Sequence, residues 1–548
     1  MGKPDDKVVP AQRSWVELPA RKRLDALLEF PDSAGAVRRV PAEDLYLSIA
    51  EVGLDDASDI VQLASPSQFR TFVDLAGWRK DRLSPADVLA WVRSARGEDE
   101  RAFLAKLQKL DLEVLEYVLR ERVVVHDLEE EPDANPEGFT VETPEGKYLL
   151  EIRAEGQELD AVRQILDELF AQGPLEASRL LESIRWESTS ELEEIAYRFR
   201  SARLADLGFP ELYEALSIFA FADPAKLGPE APPPSSSSVL AQAPPPARYL
   251  EAAFGGLAGD ERAAQEAQLR RVVNSALVAE GAEPGDLDAI RRVSELARDY
   301  LSLGLEFLTG RSPDAAADAV RRFGFKKIFQ VGFSLTLRLK FRVERMARGQ
   351  LFSVDGALLL LPEEARAVSA LRRKRPLRAL KVEGAEPVPF RSERELAEAS
   401  ALLDRAEGQL AAFRALLGAD EGAAREALEP FGEGLPGVGA DRVWIAAVAR
   451  AALGEPDLLA PVPAERVREL GPILFEGEPP ALRIRAEARQ KVLEAVRPRA
   501  KGAEPASLEQ MVDWALSRLR DELAAPLRHG ELDPALTTVF PVRRPEVL

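Results

Sequence analysis

Residues Val331–Val343 read VGFSLTLRLKFRV, and whether they form a strand or a helix decides what the C-terminal half can be. Apolar side chains fill every odd position, the period of two that a half-buried strand shows. Thirteen residues is long for a strand, however, where about 5–6 is usual. Only Gly324 and Gly332 could turn the chain between this stretch and the helix opened by Ser312-Pro313. On a helical wheel Phe325, Ile328, Phe329, Gly332, Phe333, Thr336, Leu339, Val343 and Met346 share one face, with Lys327, Arg338 and Arg345 opposite. We therefore read a largely buried helix, with a strand as the alternative.

Working outward, Leu351–Leu361 (LFSVDGALLLL) places Asp355-Gly356 between apolar arms, a hairpin signal. Ser392–Leu417 and Ala481–Leu527 are helical in pattern, with capping boxes at Ser392–Glu395 and Ser507–Gln510. Upstream, Pro229–Pro246 (PEAPPPSSSSVLAQAPPP) offers nothing to bury and reads as an extended, disordered linker. Before it, Ser65-Pro66-Ser67-Gln68 and Ser84-Pro85-Ala86-Asp87 each set a Ser cap before a Pro at the first helical position. Six short helices, starting near residues 42, 55, 66, 85, 98 and 112, fill Pro41–His126. Phe139–Val141 and Tyr148–Ile152 flank the turn Thr143-Pro144-Glu145-Gly146 as a hairpin. Ser188–Glu191 is a capping box for a helix running to Leu204, with Glu194 and Arg198 one turn apart.

The expected fold class is mainly α, a superhelix or bundle of short helices with one or two small β-hairpins. The expected division is a polar tail and first helix (1–35), a helical superhelix (36–128), and a β-hairpin with helices (129–228). The linker (229–247), a helical region carrying a basic segment (248–420) and a C-terminal helical region (421–548) follow. A chain of 548 residues with 46% hydrophobic content can bury a core in each of about three units.

Composition excludes whole chemistries. With no Cys there is no thiolate nucleophile, Cys-ligated zinc, iron–sulfur cluster or disulfide. His126 and His529 are the only imidazoles, and each reads as lying at a helix C-terminal end, where the macrodipole favours a partly protonated ring. Glu191, Glu193 and Glu194, and the run Glu129-Glu130-Glu131, could be hard-cation ligands but read as solvated faces, so no metal site and no cofactor are expected. GxxxxGK[ST] and GxSxG are missing, and Gly432–Gly439 lacks the preceding strand a dinucleotide turn requires. Met1–Arg13 is polar and holds no secretory apolar core. Ile328–Leu337, broken by Gln330, and Val443–Leu453, interrupted by Arg450, are too short to span a bilayer. A cytoplasmic location without a membrane span is the expectation, in a composition that fits a high-GC bacterial genome.

Charge is unevenly placed. Residues 321–381 hold 16 basic against 4 acidic side chains, a net of +12, whereas the whole chain carries −20 and everything outside the segment −32. Residues 127–160 hold 12 acids and two basic side chains. Two candidate sites follow. Arg338, Lys340, Arg342, Arg345, Arg372, Arg373, Lys374 and Arg375 form a candidate anion or partner site, the competing reading being solvated or internally paired side chains. A chain of pI 4.9 repels a polyanion at long range, so nucleic acid is disfavoured as a partner relative to a confined anion site. Tyr197, Arg198, Arg200, Arg203 and Asp206, beside the turn Gly208-Phe209-Pro210, mix aromatic and Arg groups as contact surfaces do. The competing reading there is an interhelical ion-pair network.

Three blocks carry a resemblance: Asp44–Leu83, Glu194–Leu216 (EIAYRFRSARLADLGFPELYEAL) and Ile328–Lys340 (IFQVGFSLTLRLK). Together they resemble a bacterial family of large, mostly helical proteins known as a domain of unknown function, over most of the chain apart from the N-terminal tail and the linker. That resemblance implies a helical fold and brings no catalytic residues. Pro41–His126 is also similar to the helical superhelix regulatory domain of bacterial magnesium transporters, which implies a fold type only. Absent motifs, many short helices and separated charge point to a non-enzymatic interaction or scaffold protein whose partner is a protein. The alternatives are an enzyme or small-molecule-binding protein with an Arg-lined anion site, and a nucleic-acid binder using residues 321–381.

Overall fold

In the computed structural model Val331–Val343 is helical, inside a helix that runs from Ala316 to Ala347. The alternation misleads because Val331 to Thr336 are all buried, so polar and apolar side chains alike face protein. Gly324, with φ 70° and ψ 157°, breaks the ladder between two helical segments. The structure describes residues 19–136, 138–227, 247–282, 286–348, 351–382, 384–478, 481–528, 534 and 537–543. His529 and the N-terminal tail to residue 18 lie outside them, as does the Pro/Ser linker through residue 246.

The chain divides into two compact units, residues 1–218 with 263–297, and residues 219–262 with 298–548. The first begins with α1 (Ala20–Leu28), α2 (Ser33–Arg39), α3 (Ala42–Val52), α4 (Ser58–Leu63) and α5 (Pro66–Ala76). The small hairpin β1 (Trp78–Arg79) and β2 (Arg82–Leu83) precedes α6 (Pro85–Ala95), α7 (Glu100–Leu107) and α8 (Leu112–Arg120). A three-stranded antiparallel sheet, β3 (Val123–Asp127), β4 (Phe139–Glu142) and β5 (Tyr148–Ile152), has β5 at its centre. Then come α9 (Gly156–Gln172), α10 (Pro174–Trp186), α11 (Thr189–Asp206) and α12 (Leu212–Leu216). Helices α13 (Ala247–Gly255), α14 (Gly259–Glu280), α15 (Leu287–Leu308) and α16 (Ala316–Ala347) follow.

After α16 a hairpin, β6 (Ser353–Val354) and β7 (Ala357–Leu358), turns at Asp355 and Gly356, both with positive φ as a two-residue turn of this hand needs. Beyond it lie α17 (Pro362–Arg372), α18 (Glu393–Leu417), α19 (Glu421–Leu428), α20 (Gly434–Val438) and α21 (Ala440–Leu453). The remaining elements are β8 (Val462–Pro463), α22 (Leu470–Leu474), β9 (Phe475–Glu476), β10 (Arg483–Ile484), α23 (Ala486–Val496), α24 (Pro505–Arg528) and β11 (Val542–Arg543). The protein is mainly α with a minor β component of short strand pairings.

Side-chain caps open several of the helices. Ser65 Oγ accepts from the Gln68 N–H at 3.2 Å and Gln68 Oε1 accepts from the Ser65 N–H at 2.8 Å, a complete capping box. Gln68 is buried and its amide also donates to the Val37 and Val40 carbonyls, so the cap anchors α5 on the preceding loop. Ser392 caps α18, but Glu395 reaches back to the Arg391 N–H rather than to Ser392. Two expected boxes do not form. Ser188 makes no side-chain cap, and Ser507 falls inside α24, whose start is Pro505.

His126 corrects another expectation. It sits in strand β3 opposite Leu149, not at a helix end, its ring nitrogens 3.2 Å from Glu131 and 3.3 Å from Glu151. Three consecutive Val residues favour the pleated strand at this point, and alternate β3 side chains are buried.

In the second unit α21 is buried along Val443–Leu453, with Trp444 Nε1 donating to the Met511 carbonyl at 2.8 Å. Arg450, within this run, donates to the Pro461 carbonyl at 2.8 Å. The crossing of α15 and α16 is set by glycines. A Cβ on Gly332 would lie 1.9 Å from the Tyr300 carbonyl oxygen, and one on Gly304 2.1 Å from that of Ile328.

Candidate functional site

The block Glu194–Leu216 divides by helix face. Leu192, Ala196 and Arg200 of α11 point inward, spaced four residues apart as a buried stripe requires. Arg200, 8% exposed, donates Nε to the Asp74 carbonyl at 2.7 Å and lies 5.1 Å over the Trp78 ring. Burial pushes its guanidinium below the ordinary value. Arg203 forks to both Asp74 oxygens at 2.7 and 2.8 Å and to both Asp111 oxygens at 3.0 and 2.6 Å. Burial opposes its charge, but the two carboxylates bonded to it hold it above the ordinary value. Arg200 and Arg203 thus tie α11 to α5 and to the start of α8. The other three singled-out residues face outward. Tyr197 meets Trp78 edge-on at 5.9 Å, Arg198 pairs with Glu194 one turn back, and Asp206 is exposed.

Past α11 the chain turns at Gly208, φ 87°, and Phe209-Pro210 leads into α12. That helix buries Ala215 and leaves Leu212, Tyr213 and Leu216 exposed by 58%, 90% and 40%. Residues at these offsets fall within about 100° of the helix circumference, so they make one apolar face. The pair Leu212 and Leu216 at one-turn spacing, straight after Pro210, is the signal for it in the sequence; the mix of Tyr and Arg upstream drew attention away.

The basic segment of the second unit is largely spent on its own surroundings. Arg321 pairs with Glu261 at 2.7 Å and Asp318 at 2.8 Å, Arg338 with Asp223 at 3.4 Å, and Arg378 with Glu395 at 3.1 Å. Lys340 Nζ donates to the Arg373 carbonyl at 2.9 Å, and Arg373 reaches Glu386 at 3.7 Å. The Arg375 guanidinium covers the Phe219 ring at 3.4 Å, in a cluster where Phe219, Tyr300, Phe329 and Phe333 meet edge to face. Arg372 lies 5.8 Å from the Phe352 ring, and Lys374 is exposed. Lys340, Arg373 and Arg375 are thus engaged within the unit, while Arg372 and Lys374 are exposed beside them.

Two of the eight share one cleft. Arg342 and Arg345, one turn apart on α16, line a cleft of about 300 Å³ with Met346 and with Glu407, Leu410 and Arg414 of α18. Arg342 donates to Asp404 at 2.6 Å and Glu407 at 3.0 Å, bonds that hold its guanidinium above the ordinary value. Arg414 donates Nε to the Leu351 carbonyl at 2.9 Å, and burial alone pushes its guanidinium down. Glu407 and Arg414 lie outside the basic segment, which is why charge counting along the chain passes over them.

Among the described residues no cluster of three or more His, Asp or Glu side chains could hold a metal ion, and no helix is long and apolar enough to cross a membrane. No curated protein and no solved structure matches the chain. A family model, described as a family of unknown function (DUF6178), matches residues 9–543. Its span takes in both units and the blocks around α3–α6, α11 and α16 that carry the resemblance, and the chain belongs to that family.

Proposed function

We propose that the chain is a non-enzymatic, cytoplasmic protein-interaction or scaffold protein whose partner docks on the outward face of α12. What supports this is the exposure of Leu212, Tyr213 and Leu216 together on one face. Each such side chain, once buried, contributes roughly 1.5–3 kcal/mol. Three exceed what an isolated surface apolar residue needs by way of explanation, and Tyr is a frequent anchor of interfaces. Glu211 and Glu214 are exposed beside the face, so the complementary surface is a protein groove with an apolar floor and a basic rim. Nucleic-acid binding through residues 321–381 has less support, since carboxylates from elsewhere in the unit already engage Arg321, Arg338, Arg342 and Arg378.

The test is affinity capture from the native source at moderate salt with the chain and with its L212S/Y213S/L216S variant. The wild type retains a partner that the variant loses, while the thermal midpoint of the variant stays within about 0.5 kcal/mol equivalent of the parent. Equal retention by both proteins contradicts the assignment.

A further inference from the structure

The cleft between α16 and α18 has a composition that a purely structural ion pair does not need. Arg342, Arg345 and Met346 follow one another at helical spacing on α16, and Glu407, Leu410 and Arg414 at helical spacing on α18, so each helix gives one face to the same space. Three guanidiniums and one carboxylate line it, a formal excess of two positive charges. Arg342 is engaged by Glu407 and Asp404. Arg345 is exposed and has no carboxylate partner among the described residues, and the hydrogen bond of Arg414 goes to a backbone carbonyl. Met346 and Leu410, both buried, supply apolar wall. A space of about 300 Å³ lies at the small end of small-molecule sites.

We propose that this cleft binds a small phosphate monoester with a short apolar body. Guanidinium forks match phosphate oxygens in a bidentate way, and a monoester at neutral pH carries about −1.5 to −2 charges, close to the excess on the lining. Arg345 and Arg414 hold the phosphoryl oxygens, Arg342 with its two carboxylates fixes the wall they work against, and the organic group lies on Met346 and Leu410. The site is independent of the α12 face, and neither assignment requires the other.

Phenyl phosphate, inorganic phosphate and benzoate, each titrated calorimetrically into the full chain at fixed ionic strength, test it. Phenyl phosphate binds more tightly than the other two. Arg345→Met and Arg414→Met each weaken it by about tenfold or more, as expected for a lost charge-assisted hydrogen bond. Glu407→Gln, which removes the one carboxylate of the lining, tightens it several-fold. R373M/K374M, which removes two cations outside the cleft, leaves it unchanged. Arg345 bonds to no other described side chain, so its variant folds as the parent does even where Arg414→Met does not. Inorganic phosphate or benzoate bound as tightly as phenyl phosphate, binding that survives Arg345→Met, or no binding at all would each overturn the proposal.

Discussion

Glu306 shows what a single buried carboxyl does to stability. It is 3% exposed on α15 and accepts the Glu393 N–H at 2.9 Å at the start of α18. Burial pushes its carboxyl above the ordinary value; the Glu393 N–H and the Arg311 charge work against this, and the Glu393 and Glu395 charges add to it. The folded chain therefore holds this proton more tightly than the unfolded chain does. Its contribution is complete below the ordinary carboxylate value and is lost as pH rises through the folded value, so at neutral pH the ionised group works against folding. Glu306→Gln keeps an oxygen for the Glu393 N–H and removes the charge. Its urea midpoint is expected to exceed that of the parent at pH 7.5, with the gap closing toward pH 4.5. A lower midpoint at both pH values would count against this account. Residues like this were not legible in the sequence, because partners 87 positions away are joined only by folding. Ser65 and Gln68 were legible, since a cap and its acceptor lie within one turn. His126 was misread because a run of Val ends a buried helix or starts a strand equally well.

At the scale of elements, the α15–α16 crossing carries the clearest prediction. Helices approach this closely only where a side chain is missing, and at Gly332 a methyl group would meet the Tyr300 carbonyl, a backbone atom that cannot swing aside. Gly332→Ala is expected to destabilise the chain by about 3 kcal/mol or more, at the upper end of overpacking effects. Calorimetry or urea unfolding reads this directly, and a change below about 1 kcal/mol would show that the helices can part without loss. The helical wheel had placed Gly332 on the buried face, so the packing surface was readable, whereas its role as the contact point was not. Hairpins with local turn chemistry, β4–β5 around Thr143–Gly146 and β6–β7 around Asp355-Gly356, followed directly from the residues. The two-residue strands β1, β2 and β8–β11 did not, because pairing that short leaves no periodicity to detect.

For the molecule as a whole, the net charge of −20 divides into a +12 segment and a −32 remainder, and the second unit partly cancels the segment from within. Position along the chain therefore located a charge excess without locating a surface. Of the eight basic candidates Arg342 and Arg345 line one cleft together, and of the five in the α11 block Arg200 and Arg203 are committed to holding the helix. The α12 face, by contrast, has no described function inside its unit. The most direct measurement is in-cell photo-crosslinking from a photoreactive phenylalanine analogue at Tyr213, with the same analogue at Arg198, an exposed polar position on α11, as reference. A discrete adduct with one protein species from position 213, absent from position 198, is the result expected of a docking face. No adduct from 213, or the same products from both positions, would contradict it.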